Sequence, residues 1–221
     1  MTAFIELKSP KERFARSINV EYDTDGPALD GYIPVGRTVD AVSRIARGLA
    51  NGQAESAFSV TGPYGSGKSS FAVLLDALFG PETEPSWATA DELIRIVSPE
   101  VAQLVAEARN CYDAHKNGFI RAVITAEREP IAVTVLRALM HGVERFGPPA
   151  KTKGLLNAAA NDLREMHAAF TASPSVLPDS HKLKSVVAAL TECAPVLLVI
   201  DEFGKNLEAF ADSHSDADLY L

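Results

Sequence analysis

The apolar positions of this 221-residue chain change period along its length, and each change marks an element. Between Asp40 and Ala50, Val42, Ile45, Ala46 and Leu49 recur at helical spacing, and Asn51-Gly52 ends the run. Ala57 to Thr61 is short, β-branched and aromatic, and reads as a buried strand. Ser69 to Phe79 returns to a helical pattern and stops at Gly80-Pro81. Two helices are expected over Ala90 to Ile96 and Pro99 to His115, then a second strand over Phe119 to Ala126. A helix from Ile131 to Phe146 is opened by Pro130 and closed by Gly147-Pro148-Pro149. Gly154 to Phe170 and His181 to Cys193 read as two more, with a Ser/Pro segment between them. Val196 to Ile200 is five apolar residues in a row, ending in Asp201-Glu202, as a parallel strand covered on both faces requires. Beyond it Lys205 to Leu221 is helical, broken near Asp212 to Asp216. Strands separated by helices predict an α/β fold with a mostly parallel sheet. Residues 1–31, with Asp23, Asp25, Gly26, Pro27 and Gly31, read as an irregular leader, and residues 32–221 as one large domain.

Charge narrows the classes of partner. The formal net charge is −8, and residues 201–221 alone set one lysine against six carboxylates. No segment concentrates Lys and Arg, so a nucleic-acid footprint is not supported. The N-terminus lacks the apolar core of a secretory signal, and no run approaches a membrane span, so a cytoplasmic protein is expected. Cys111 and Cys193 form no C-x-x-C pair and are expected to be reduced, buried thiols.

Chemistry concentrates at two places. Gly62-Pro63-Tyr64-Gly65-Ser66-Gly67-Lys68-Ser69, followed by Ser70, satisfies G-x-x-x-x-G-K-[ST] between an expected strand and an expected helix. Glycines allow backbone conformations in which successive amides converge on phosphate oxygens, and the helix N-terminus adds its dipole. Lys68 supplies a point charge for the β and γ phosphates, and the Ser69 hydroxyl suits a Mg²⁺ ion. A nucleoside triphosphate site is the expectation. Asp201-Glu202 by itself is an ordinary polar strand end. It gains meaning because ligands of open α/β sheets bind beyond the carboxyl ends of strands, the same edge as the glycine loop.

With both motifs present, residues 33 to 205 resemble a P-loop NTPase, Asp201-Glu202 standing as its Walker B element. The resemblance implies a three-layer sandwich with helices on both sheet faces and helical insertions at 85–115 and 154–193. It implies that Asp201 supports Mg²⁺ opposite Ser69, that Lys68 acts on the phosphates and that Glu202 orients and deprotonates the attacking water. The adjacent glutamate is similar to the additional-strand catalytic-glutamate division, in which another strand separates the two motif strands. Ile33-Pro34-Val35-Gly36-Arg37 fits either the h-h-G-R element by which STAND and AAA+ proteins approach adenine, or a plain turn before a helix. No L-S-G-G-Q precedes Asp201, which disfavours ABC ATPases. Asp201-Glu202-Phe203-Gly204 matches the D-x-x-G of GTPases, but no N-K-x-D follows. The implied activity is Mg²⁺-dependent ATP hydrolysis of AAA+/STAND-like type, driving conformational change through self-association or a larger protein assembly. The alternatives are a STAND-like nucleotide switch of stress or phage defence with little turnover, and a HerA/FtsK-like motor. No sensor strand, arginine finger or lid follows Glu202, so the resemblance also implies a piece of a larger ATPase.

Four lesser groupings have bland readings. Asp212, His214, Asp216 and Asp218 read as a solvated acidic turn, and Glu127-Arg128-Glu129 as a surface charge cluster at the nucleotide edge. Cys111 with His115, and His141 with Glu144, are pairs, too few for a zinc site.

Overall fold

A computed structural model describes residues 18–23, 26–51 and 56–213. In chain order the elements are a 3₁₀ turn (Gly26–Leu29), α1 (Gly36–Asn51), α2 (Lys68–Leu78), α3 (Pro85–Val97), α4 (Pro99–Asn110) and β1 (Ile120–Thr125). There follow α5 (Ile131–Arg145), α6 (Lys153–Ala172), α7 (Ser180–Thr191), β2 (Val196–Asp201) and α8 (Gly204–Ser213). Local chemistry sets several starts. Pro85 and Pro99 open α3 and α4, where a missing N–H costs nothing. The Ser98 hydroxyl accepts the Val101 N–H, and the Asp179 carboxylate caps α7 through the His181 N–H at 2.8 Å.

β1 and β2 form a parallel pair, with Ile120 opposite Val196 and Thr125 opposite Asp201. Their alternating side chains divide the interior. On one face Val123, with Leu197 and Val199 against it, joins a core built from α1, α2, α3 and α4. On the other Ile120, Ala122 and Ile124, with Val196 and Ile200, pack on α5, α6 and α7. Helices thus cover both faces of an α/β core. The leader contributes too: Val20 and Leu29 are buried in the first core. The Glu21 carboxylate accepts the outward N–H of Thr125 at 3.0 Å, and His141 donates from Nδ1 to the Val123 carbonyl at 3.0 Å.

α2 is buried along its length, and it carries a charge inside. Asp76 is 1% exposed and accepts from Arg121 on β1 at 3.1 Å and from Arg145 on α5 at 3.0 and 2.9 Å. Arg121 continues to Glu84, the residue before α3, at 2.6 and 2.8 Å. The C-terminal end of α2 meets a second buried guanidinium. Arg109 donates to the carbonyls of Leu78 and Gly80, both at 2.8 Å, and to Ala114 at 2.9 Å. Burial pulls its pKa below the ordinary arginine value, with Glu82 opposing.

Two expectations need correction. Ala57 to Thr61 is extended but pairs with no strand, and Val60 is 49% exposed, so among the described residues the sheet has two strands, fewer than expected. Composition made the segment fit for a strand, but a ladder also needs a neighbour. Cys111 is exposed, because it falls just past the end of α4, whereas Cys193 is half-buried and its thiol pKa is raised by burial and then by Glu192. The last helix ends at Ser213, and residues 214–221 lie outside the described residues, with His214, Asp216 and Asp218 among them. No described helix is long and apolar enough to cross a membrane.

Removing Asp76 leaves Arg121 and Arg145 facing a vacated buried position. Asp76→Ala is expected to lower unfolding stability by roughly 3–5 kcal/mol in urea titrations, the range for breaking a buried ion pair, and the half-exposed Glu84→Ala by less.

Candidate functional site

The segment from Gly62 to Gly67 is a solvent-facing loop that turns directly into α2. The Ser66 N–H donates to the Pro63 carbonyl at 3.3 Å, closing the turn. Gly65 (φ 75°) and Gly67 (φ 85°) occupy the left-handed region, where a Cβ would clash with the chain's own carbonyl. Gly67 is the N-cap of α2 and has no side chain with which to cap it. The amides of Lys68, Ser69 and Ser70 therefore open the helix without a side-chain acceptor, the arrangement that receives an anion. Pro63 and Tyr64 form the tip, and Tyr64 is 92% exposed.

Lys68 folds back over the loop, donating from Nζ to the carbonyls of Gly62 and Pro63, each at 3.0 Å. An ammonium has three donors, so one remains for an incoming oxygen above the loop. The next residue makes the long-range contact. The Ser69 hydroxyl donates to Asp201 Oδ2 at 2.6 Å across 132 residues of sequence, joining the start of α2 to the carboxyl end of β2. The other oxygen, Asp201 Oδ1, accepts the N–H of Glu202 at 2.9 Å.

Glu202, like Asp113 far from the site in sequence, is a non-glycine residue in the left-handed region, at φ 55°. This conformation swings the chain from β2 into α8, and the Glu202 carbonyl accepts the Lys205 N–H at 3.0 Å. Its carboxylate is exposed and ion-paired to Lys205 Nζ. Lys205 was not singled out by sequence reasoning, although a lysine three residues past a glutamate is the spacing of a helical pair. Its pKa is raised, first by the hydrogen bond to Glu202 and further by the charges of Glu127 and Asp201, against some desolvation.

The loop after β1 fastens α8. Glu129 Oε1 accepts from the Thr134 hydroxyl at 2.9 Å and from Arg137 at 2.7 Å, while Arg137 also reaches Glu127 at 2.9 Å. Buried Asn206 donates to the Glu129 carbonyl at 2.8 Å and to the Thr134 hydroxyl at 2.7 Å. Arg128 pairs with Asp212 near the end of α8. The Glu127-Arg128-Glu129 cluster is thus a clasp as well as a surface feature. His115 bonds to Glu82 and Asn110 and His141 to backbone, which leaves the paired residues Cys111 and Glu144 outside those contacts.

Among the described residues no group of three or more His, Cys, Asp or Glu could hold a metal. The Ser69 hydroxyl and Asp201 carboxylate are a different kind of donor set, two hard oxygens, which fits Mg²⁺ completed by water and phosphate oxygens. Ile33-Pro34-Val35 leads straight into α1 at Gly36, with Ile33 and Val35 exposed. Comparison of the chain with protein-family models, curated proteins and solved structures finds no match.

Apart from the backbone next to it, a Cβ at Gly67 would meet open space, and so would one at Gly36, which opens α1 without a left-handed φ. Gly67→Ala is therefore expected to cost about 1–2 kcal/mol more stability than Gly36→Ala, a difference due to backbone conformation alone and readable by denaturant titration.

Proposed function

We propose that the chain binds ATP at the Gly62–Ser70 loop and hydrolyses it with Mg²⁺ as the metal. The observation that carries this reading is the 2.6 Å contact between Ser69 and Asp201. Two motifs that each match a phosphate-site pattern are separated by most of the domain, yet their proposed metal-facing oxygens touch. Helices on both faces of a parallel strand pair are compatible with the α/β layering that this reading requires.

The roles follow from placement. Backbone amides at the start of α2 and the free donor of Lys68 bind the β and γ phosphate oxygens and orient the terminal phosphoryl group. Ser69 and Asp201 would hold Mg²⁺, which when bound neutralises charge developing on the phosphates. Glu202, one residue beyond Asp201 and open to solvent, accepts a proton from the attacking water. Exposed apolar side chains at Val60, Leu198 and Leu207 suit a chain that works within a larger assembly, by self-association or with another protein.

A second reading, a nucleotide-gated switch with rare turnover, is favoured by one observation: the Glu202 carboxylate is already engaged by Lys205.

Lys68→Ala is expected to abolish the rise in melting temperature that Mg·ATP gives the wild-type protein. Glu202→Gln should keep that rise and lose turnover by roughly 10²–10⁴-fold, measured as phosphate release. Wild-type turnover by Glu202→Gln would remove Glu202 as the base.

A further inference from the structure

The turn after β2 brings one basic group against the proposed base. Glu202 in its left-handed conformation accepts the Lys205 N–H through its own carbonyl, so the two side chains leave the turn on the same side. The Lys205 ammonium meets Glu202 Oε2 there. Of the neighbouring carboxylates, Glu127 pairs with Arg137 and Asp201 accepts from Ser69, so Glu202 is the one that Lys205 engages.

The pair is placed to act on reactivity with little effect on folding. Both side chains are close to half exposed, and exposed pairs of this spacing contribute little to stability. α8 is held one residue further on, by buried Asn206. The helix therefore has its anchor in Asn206, and the head of Lys205 is free to swing without moving it. A carboxylate with an ammonium on one oxygen has that oxygen masked. A general base needs the opposite, an open oxygen within hydrogen-bond reach of water.

We infer that Lys205 is a positioning residue that restrains Glu202 in an ion-paired, unreactive state, and that water activation requires this pair to open. The inference rests on the reading of Glu202 as the base. An incoming triphosphate is the natural competitor, because it offers the ammonium a stronger anion at the same edge of the sheet.

Steady-state hydrolysis by wild type, Lys205→Met, Lys205→Arg, Glu202→Gln and the double variant Lys205→Met/Glu202→Gln tests it. Lys205→Met should raise kcat about two- to fivefold, the range an exposed pair can withhold, with KM little changed. Lys205→Arg should restore the restrained rate, and the double variant should be no faster than Glu202→Gln. Independently of turnover, amine acetylation followed by mass spectrometry should show Lys205 modified faster in nucleotide-free Glu202→Gln than in wild type. A Lys205→Met rate at or below wild type, with Glu202→Gln inactive, overturns the restraint and leaves the base in place. Unchanged acetylation of Lys205 also overturns it. Wild-type turnover by Glu202→Gln, or none by the wild type, removes the base and the restraint together.

Discussion

The fold depends on how a carboxylate is housed in the middle of its most buried helix. Asp76 lies on α2, whose residues from Phe71 to Leu78 are all buried, and is held by guanidinium groups from β1 and α5. An uncompensated charge there would be strongly unfavourable, so α2 has one acceptable position relative to the sheet, the one in which both arginines reach it. That position carries the glycine loop with it. Apolar packing alone would let a smooth helix slide or rotate over β1 and β2 at modest cost, whereas bidentate pairing from Arg145 does not.

Seen from that helix, the candidate site is a meeting of two turns that each use a left-handed residue. Gly67 ends the loop and begins α2; Glu202 ends β2 and sends the chain into α8. Glycine takes such a conformation freely, and glutamate does so at a cost of about 1–2 kcal/mol. The strain at Glu202 is opposed by what lies on either side: the bond from its N–H to Asp201 Oδ1, and the clasp of Asn206 on Glu129 and Thr134. Backbone strain beside a candidate base, held by a buried amide, is an arrangement in which position is kept at the expense of stability.

Much of the chain was legible because its signals are local. The unbroken apolar run at β2, the β-branched residues of β1 and the Pro and Gly boundaries of α5 gave bounds within a residue or two. α1 begins at Gly36, ahead of the expected Asp40, because the Val35 carbonyl accepts from Thr38 and Val39 and adds a turn that apolar spacing does not register. The segment from Ala57 to Thr61 was misjudged for another reason: side-chain propensity describes a residue's fitness for a ladder, while pairing depends on a distant stretch of chain. The same limit applies at the site. Ser69 and Asp201 were each readable from their motifs, but their contact is a property of the fold. Asp76 was hidden, since its partners lie 45 and 69 residues away.

The side chains that meet the outer edge of β1 give the sheet a direction. Parallel pairing to β2 turns the backbone groups of Arg121, Val123 and Thr125 outward, and two of these groups are taken, by His141 and by Glu21 from the leader. A strand approaching from that side would have to displace a carboxylate and an imidazole before making its first hydrogen bond. The outer edge of β1 is thereby closed to edge pairing, whereas β2, the strand that ends in Asp201, has no such side-chain cover among the described residues.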